Sequence, residues 1–434
     1  MRPIYAMVSV PLSALVAATA LAAQRPAAAA MEITVTEAVR RALQVQPAIV
    51  QARGDGSNAD AQRLAAYGAF IPTVSVNSVA FRQNQGSIVN GFPVPGSRYQ
   101  YNTGLSLSLD LFDGLRRFQR LREANATVSA ADAGYINQRF QVTLQTKQAF
   151  YTALANEDLV RVADAQVKRA QQELQISIDK LHAGSATRSD SLRSTVDYGN
   201  ARIALLQAQA NLATAQANLG RQIGVDGPVR AIADSVLPGL PDTSDLRSAA
   251  IANSPQVVQA QAQARAAAAT VWDQRSQYLP TLSVSYNTSS QGFTEPWQGF
   301  DPPNRNLNQL RFSFTWNILN GFQREQQVTS NVVQRDVLAA RAEDTRRQVS
   351  AQLTQQLAAL ETAVAQIAIA QDNLAAATED LRVQNERYRV GASTILDLLT
   401  SQAALTQAEV NVVQTRYNYL IARAQVEAVV GRTL

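Results

Sequence analysis

The side chains that most often carry out chemistry are scarce in this sequence. Its 434 residues include one His and no Cys, so disulfides, thiolate metal sites and a cysteine nucleophile are excluded. Most Asp and Glu residues stand three or four positions from Arg or Lys in helical segments, the spacing of solvated ion pairs. We recognise no nucleophile beside a base and no glycine-rich phosphate loop. The sequence therefore predicts a protein that is not an enzyme and needs no cofactor or metal.

One polar motif, G-x-x-T-x-x-D, occurs twice. It runs from Gly184 to Asp190 and again from Gly391 to Asp397. Gly favours the left-handed conformation that ends a helix. The Thr three residues later, Thr187 or Thr394, can cap the next helix together with the Asp at the third position of that helix. The motif predicts a tight reversal between two helices. Capping alone would account for both aspartates, and lining of a pore entrance is the alternative.

The motif belongs to a much longer internal repeat. Pro47 and Pro255 lie 208 residues apart, and the two motif glycines lie 207 apart. A long repeat defines the unit from which a fold is built. We place a first structural repeat at residues 31–224, a linker at 225–243 and a second repeat at 244–434.

The N-terminus has the order of a secretory signal peptide. Arg2 precedes an apolar run and then small residues, which predicts a signal peptide over residues 1–30 with cleavage after residue 22 to 30. Beyond it no segment reaches the ~18 consecutive apolar residues of a membrane-spanning helix. Any membrane span must therefore consist of strands. The net charge of +5 is spread along the chain, so no nucleic-acid partner is expected.

Two segments alternate strictly between apolar and polar residues. The clearest runs from Leu105 to Leu111, and its counterpart runs from Leu310 to Ile318. This period of two predicts strands with one apolar and one polar face. We expect four strands, in two hairpins, within about residues 72–112 and 280–318. The apolar face would form the core of a soluble sheet or would contact lipid in a transmembrane barrel. The signal peptide and the surrounding aromatic residues favour the barrel.

Long helices follow each hairpin. The helical pattern continues for 70 residues after Gly114 and Gly321, a length of about 105 Å. Such helices must project far beyond a bilayer, whose hydrocarbon layer is about 30 Å thick. The helices that return from the two motifs carry apolar and small residues at alternating spacings of three and four, which predicts antiparallel coiled-coil hairpins. These rows are Leu192, Val196, Gly199, Ile203, Leu206, Ala210, Ala213 and Ala217, and Leu396, Leu399, Ala403, Thr406, Val410, Val413, Tyr417, Leu420 and Ala424.

Four strands cannot close a barrel, which needs about eight, and open strand edges are not tolerated in lipid. Two or three copies of the chain must therefore share one barrel. The expected fold is mainly α with β: a duplicated helix, hairpin and long-helix unit, whose transmembrane β-barrel continues into a coiled-coil helical barrel.

This arrangement resembles the TolC family of outer-membrane channel proteins over essentially the whole mature chain. The segment from Tyr388 to Gly431, which includes Val390-Gly391, Asp397 and Thr415 to Leu420, is especially similar. The resemblance implies a homotrimer with a twelve-stranded barrel in outer-membrane lipid and a helical tunnel through the periplasm. It also implies a periplasmic adaptor protein and an inner-membrane transporter of the RND or ABC type as partners.

The resemblance implies roles for the two motif turns. Tyr388 and Asp397 match positions that hold the periplasmic entrance nearly closed, and Asp190 of the first repeat would line the same entrance. Thr400 and Ser393 stand where the family has an acidic and a basic gate residue. The adaptor would contact the turns at Ala183, Gly184, Thr187, Val390, Gly391 and Thr394.

The function implied is a passive outer-membrane exit duct for multidrug efflux, type I protein secretion or both. An adaptor and a transporter would open it at its periplasmic end. The alternative is a trimeric structural or adhesive outer-membrane protein that does not conduct. Such a protein would not need the polar strand faces at residues such as Ser106, Ser108 and Ser313.

Overall fold

The structure, a computed structural model, describes residues 31–82, 87–89, 92–94, 99–233, 239, 251–292 and 305–434. The signal peptide expected over residues 1–30 lies outside them. A 3-10 turn spans Ser276–Tyr278. The helices and strands in chain order are β1 Met31–Ile33, α1 Val35–Val45, α2 Pro47–Gly68, β2 Thr73–Arg82, β3 Ser87–Val89, β4 Phe92–Val94, β5 Tyr99–Phe112, α3 Arg116–His182, α4 Arg188–Ile223, β6 Val229–Ala231, α5 Pro255–Arg275, β7 Thr281–Gly292, β8 Arg305–Thr315, α6 Gln323–Arg389 and α7 Ile395–Val430.

The two repeats contain helices of equal length. Both α3 and α6 have 67 residues, and both α4 and α7 have 36. At 1.5 Å per residue each long helix extends about 100 Å, which confirms the long projecting helices predicted from the sequence. The Asp113 carboxylate accepts a hydrogen bond from the Arg117 amide at 2.7 Å and so satisfies a free N–H in the first turn of α3.

None of the helices within the described ranges combines the length and the apolar character needed to cross a membrane.

The helical segment between Val35 and Gly68 is interrupted just before Pro47. Gln46 is extended, with φ −64° and ψ 127°, and separates α1 from α2. The cause is Pro47, because a proline ring disfavours helical geometry in the residue before it. Pro47 itself occupies the first turn of α2, where its missing N–H costs nothing.

Four strands form one antiparallel sheet in the order β2-β5-β7-β8. The register places apolar residues opposite one another across all four strands, for example Val74 with Leu107 and Val284 with Phe312. Hydroxyl side chains are paired in the same way on the other face: Ser75 and Ser106 share a hydrogen bond of 2.6 Å. The alternation predicted for single strands thus extends to the whole sheet.

The last strand is shorter than predicted. β8 ends at Thr315 instead of Ile318, because the chain that follows is held by side-chain contacts. The Trp316 indole donates to the carbonyl of Tyr278 at 3.2 Å. The Arg324 guanidinium donates to the carbonyl of Asn317 at 2.9 Å.

Helix α3 is the centre of the helical part. It packs against α4 and α7, and in its first half also against α2 and α5; α6 packs against α7 and α5. Phe150 of α3, Leu219 of α4 and Tyr417 of α7 share one buried cluster. A second cluster joins Leu357 of α6 to Val426 of α7. Helix α7 is therefore enclosed between α6 and α3.

The two predicted coiled-coil rows differ in burial: the row in α7 is packed, and the row in α4 is exposed. In α7, Val413, Tyr417 and Leu420 pack against the cluster that contains Phe150. In α4 the corresponding face is open, and four of its apolar side chains are 57–66% exposed. The predicted α3–α4 hairpin is present, but this row lies away from α3, on a side of α4 where no described helix packs. These exposed residues, the α4 row, are Leu192, Val196, Ile203 and Leu206.

The expected linker contains ordered structure. Its strand β6 pairs in parallel with β1, with Met31 opposite Val229. Arg230 in β6 forms an ion pair with Glu157 of α3 at 2.8 Å. Residues 234–238 and 240–243 of the linker lie outside the described ranges.

A half-buried ion pair between Lys147 of α3 and Glu427 of α7 gives a test of this packing. We expect Lys147→Met to lower the free energy of unfolding by about 2 kcal/mol, because Glu427 keeps its charge in a poorly hydrated site. Thermal unfolding followed by far-UV circular dichroism would measure it. The control is Arg346→Met, which removes a pair with exposed Glu343 and should cost under about 1 kcal/mol. Equal losses would contradict the proposed cause.

Candidate functional site

Both predicted reversals are present at the ends of the two helical hairpins. Gly184 and Gly391 have φ of +72° and +78°, the left-handed conformation that a side chain disfavours. The amide of Ser185 then donates to Lys180 O at 2.9 Å, and that of Ala392 donates to Arg387 O at 2.7 Å. These bonds satisfy carbonyl groups left free at the ends of α3 and α6.

Each returning helix begins with a complete capping box. The Asp397 amide donates to Thr394 Oγ1 at 3.3 Å, and the Thr394 amide donates to Asp397 Oδ2 at 2.9 Å. Thr187 and Asp190 repeat the arrangement at 3.2 and 3.0 Å. The Thr394 hydrogen bonds, with that of its amide the larger cause, lower the pKa of Asp397. The Thr187 hydroxyl and then its amide lower the pKa of Asp190. Both aspartates are therefore anionic at neutral pH.

The turns themselves face solvent. Val390 is 72% exposed, and His182, Ala183, Gly184 and Gly391 are also exposed. Thr187 and Thr394 are exposed as well. The six residues expected to contact an adaptor are thus accessible in one chain.

Tyr388 lies deeper than the two aspartates. It is buried against Leu398 and Leu405 of α7. Lys180 of α3 places its ammonium 3.6 Å from the centre of the Tyr388 ring and donates to the Tyr388 carbonyl at 2.6 Å. Burial raises the pKa of the Tyr388 hydroxyl, and the nearby charges of Glu173 and Asp190 raise it further. The structure therefore joins Tyr388 to Lys180 of α3, while Asp190 and Asp397 each cap their own helix.

Two residues at expected gate positions make no bridge between the hairpins. Thr400 donates its hydroxyl to Leu396 O at 2.8 Å on its own helix. The Ser393 hydroxyl is buried and has no partner among the described residues.

A buried polar row beside Tyr388 escaped the sequence analysis. Glu173, Ser177 and Ser194 are each at most 4% exposed. The hydroxyls of Ser177 on α3 and Ser194 on α4 share a hydrogen bond of 2.8 Å. Burial raises the pKa of Glu173 to about 7, although Lys180 and the Ser177 hydroxyl both favour its charged form. Only its spacing, with Glu173, Ser177 and Lys180 on one face of α3, could have indicated the row.

Comparison with known proteins shows what this chain resembles. A sequence model of the family described as "Outer membrane efflux protein" matches residues 38–225 and again residues 246–432. The outer membrane efflux protein BepC of Brucella suis biovar 1 (strain 1330) is 23% identical over 342 residues, which cover 78% of this chain and 74% of BepC.

Solved structures share the fold. A crystal structure of CusC superposes with a TM-score of 0.81 at 16% identity and covers 92% of both chains. The outer membrane protein VceC of Vibrio cholerae gives a TM-score of 0.77 at 16% identity, and the match covers 92% of this chain and 96% of VceC.

Removal of one capping hydroxyl tests the construction of the turn. We expect Thr394→Val to destabilise the start of α7 by about 1 kcal/mol, because the Asp397 amide loses its acceptor. Hydrogen exchange of the amides at residues 395–398 would measure the loss. The control is Thr378→Val, whose hydroxyl bonds only Leu374 O within α6. Because the pKa of Asp397 is lowered in the folded protein, the stability that its carboxylate adds to the cap is complete at pH values above the ordinary pKa. That stability is lost as the pH falls through the lowered pKa. Unchanged exchange would rule out the cap as the determinant of this helix start.

Proposed function

The chain belongs to the outer membrane efflux protein family, and we propose that it is the outer-membrane exit duct of a tripartite export system. Members of this family are channels rather than enzymes, and the chain is an outer-membrane protein. A periplasmic adaptor and an inner-membrane transporter of the RND or ABC type would complete the system. The duct itself would perform no chemistry.

The observation that carries this proposal is the two-faced sheet joined to very long helices. Apolar side chains such as Val76, Leu310 and Phe314 are 60–70% exposed on one face. Hydroxyl and amide side chains occupy the other. An apolar outer face and a polar inner face are typical of a barrel in lipid with a hydrated lumen. Helices of about 100 Å then extend far outside a hydrocarbon layer of about 30 Å.

We propose a homotrimer, because one chain leaves both edges of its sheet open. Strands β2 and β8 each have a partner on one side only among the described strands. Unpaired strand edges are not tolerated in lipid. Three copies of four strands would give twelve and leave room for a lumen.

The repeat supports the same assembly in the helical part. Val413, Tyr417 and Leu420 of α7, in the second repeat, pack on α3, the long helix of the first repeat. By the same geometry the α4 row should pack on α6, the long helix of the second repeat. Within one chain α6 lies on the far side of α7, so the α6 that meets α4 would come from a neighbouring copy. Ring closure follows if each copy repeats this contact.

The two turns are the proposed entrance. Their exposed residues, from Ala183 to Thr187 and from Val390 to Thr394, are the proposed adaptor contact. Tyr388, Asp397 and Asp190 are the proposed residues that restrain the entrance. The cargo would be small toxic compounds, a secreted protein or both, since a polar lumen is not selective between them.

The second candidate is a trimeric structural or adhesive protein that does not conduct. It would account for the helices and for the apolar strand face. It gives no reason for the paired polar residues on the inner face, such as Ser75 with Ser106 and Thr73 with Ser108.

Conductance of the purified protein in a planar lipid bilayer tests the proposed duct. We expect small channels for the wild type and a larger conductance for Asp397→Ala, because removal of an anionic cap loosens the entrance. Asp190→Ala is the matched variant in the other repeat. A protein that inserts but stays silent even as Asp397→Ala would contradict the duct and favour the structural candidate. An unchanged conductance in a conducting Asp397→Ala protein would contradict the role of that residue alone.

Charge placed on the α4 row tests the trimer. Ile203→Glu with Leu206→Glu should convert trimers to monomers in native mass spectrometry, because two carboxylates would be desolvated at the proposed contact. Ala204→Glu is the control, since Ala204 is exposed and points away from Ile203 and Leu206 around the helix. Intact trimers in the double variant would show that α6 of another copy does not cover this row.

A further inference from the structure

The buried polar row at the end of α3 differs from its counterpart in the second repeat in the burial of its carboxylate. The position that corresponds to Glu173, 207 residues later, is Asp380. It is exposed and accepts a hydrogen bond from Ser401 at 2.5 Å. Glu173 is 4% exposed, and its Oε1 has no hydrogen-bond partner among the described residues. Burial of a carboxylate with an unpartnered oxygen is costly, so this site favours a neutral carboxyl.

Glu173 lies where α3, α4 and α6 meet near the turns. Its own helix contributes Lys180 and Ser177, and α4 contributes Ser194 and Asp197. The side that faces α6 holds Tyr388, which Lys180 ties to α3. Arg169 lies one turn before Glu173 on α3. Its guanidinium forms an ion pair with Glu409 of α7 at 2.8 Å. Lys180 is therefore the one cation beside Glu173 that the described contacts leave without a carboxylate partner of its own.

We propose that Glu173 is a proton-controlled latch that positions Lys180 and Tyr388 and so holds the α3–α4 hairpin against α6 when its carboxyl is neutral. This inference rests on the proposed duct, whose entrance the hairpins form. An ionised Glu173 would draw water and Lys180 toward itself. It would thereby weaken the contact of Lys180 with the Tyr388 ring and carbonyl, and the hairpin would separate from α6.

The direction of the pH response follows from the two states. In the packed state the pKa of Glu173 is raised from 4.5 to about 7 by burial. In a separated state the carboxyl is hydrated and returns toward its ordinary pKa. The packed state therefore binds the proton more tightly, and its advantage is full below the ordinary pKa and lost as the pH rises through about 7. Burial also raises the pKa of Asp197, which acts in the same direction.

Distances between the two turns test the latch without any need for conduction. The chain has no Cys, so spin labels can be attached at Ser185→Cys and Ala392→Cys, both in exposed turns, of the reconstituted full-length protein. We expect the fraction of long distances in the wild type to rise at least about fivefold between about pH 5.5 and pH 8.5, below the ceiling of roughly 30-fold that linkage sets over this range. Glu173→Gln should stay packed throughout, because its amide cannot ionise.

Three variants separate the latch from a simple structural role. Asp380→Asn, the repeat-equivalent control, should keep the wild-type pH response. Glu173→Asp keeps an ionisable carboxyl and should restore a response that Glu173→Gln lacks. Lys180→Met should raise the fraction of long distances at all pH values. A Glu173→Gln protein that titrates like the wild type would overturn the latch.

Planar-bilayer conductance over the same pH range separates this inference from the proposed function. A pH-dependent distance change without any conductance would contradict the duct and leave the latch intact. Conductance in a protein whose turn distances do not depend on Glu173 would uphold the duct and overturn the latch.

Discussion

The constraint on which this structure depends is that backbone groups in a lipid environment must find partners within protein. A four-stranded sheet satisfies its inner strands and leaves β2 and β8 open at its edges. The helical part also has one covered and one uncovered element: α7 is enclosed by two helices, whereas the α4 row is exposed. In the proposed trimer, neighbouring copies would cover both the open strand edges and the α4 row.

Duplication gives the two repeats the same elements but different neighbours. The equal lengths of α3 and α6, and of α4 and α7, leave little room for a different local geometry. The two repeats differ in which equivalent side chains are buried. Tyr417 in α7 is buried where Ala210 in α4 is exposed. Glu173 is buried where Asp380 is exposed. Departures from repeat symmetry therefore mark the positions where the two halves of the chain have different neighbours.

The ends of the helical hairpins combine a rigid turn with a weaker lateral contact. The capping boxes and left-handed glycines are local, so each turn can keep its shape while the hairpin moves as a unit. The lateral contact of the α3–α4 hairpin with α6 depends on few groups, chiefly Lys180 against Tyr388, whereas the Ser177–Ser194 pair joins α3 to α4 within the hairpin. A stiff hairpin held by a few polar contacts suits an element with two positions whose balance small changes in charge can shift.

The sequence by itself determined the elements whose cause is local. Gly184 with Thr187 and Asp190, and their counterparts, encode the turns, because φ preference and capping act within a few residues. Alternation encodes the strands and their two faces for the same reason. Only the tertiary structure decided which surfaces are covered. The early end of β8 reflects side chains from other elements, whereas the break at Gln46 has a local cause in Pro47. The exposed α4 row and the buried Glu173 depend on which helix lies alongside, and a period of three and four residues is equally compatible with a covered and an open face.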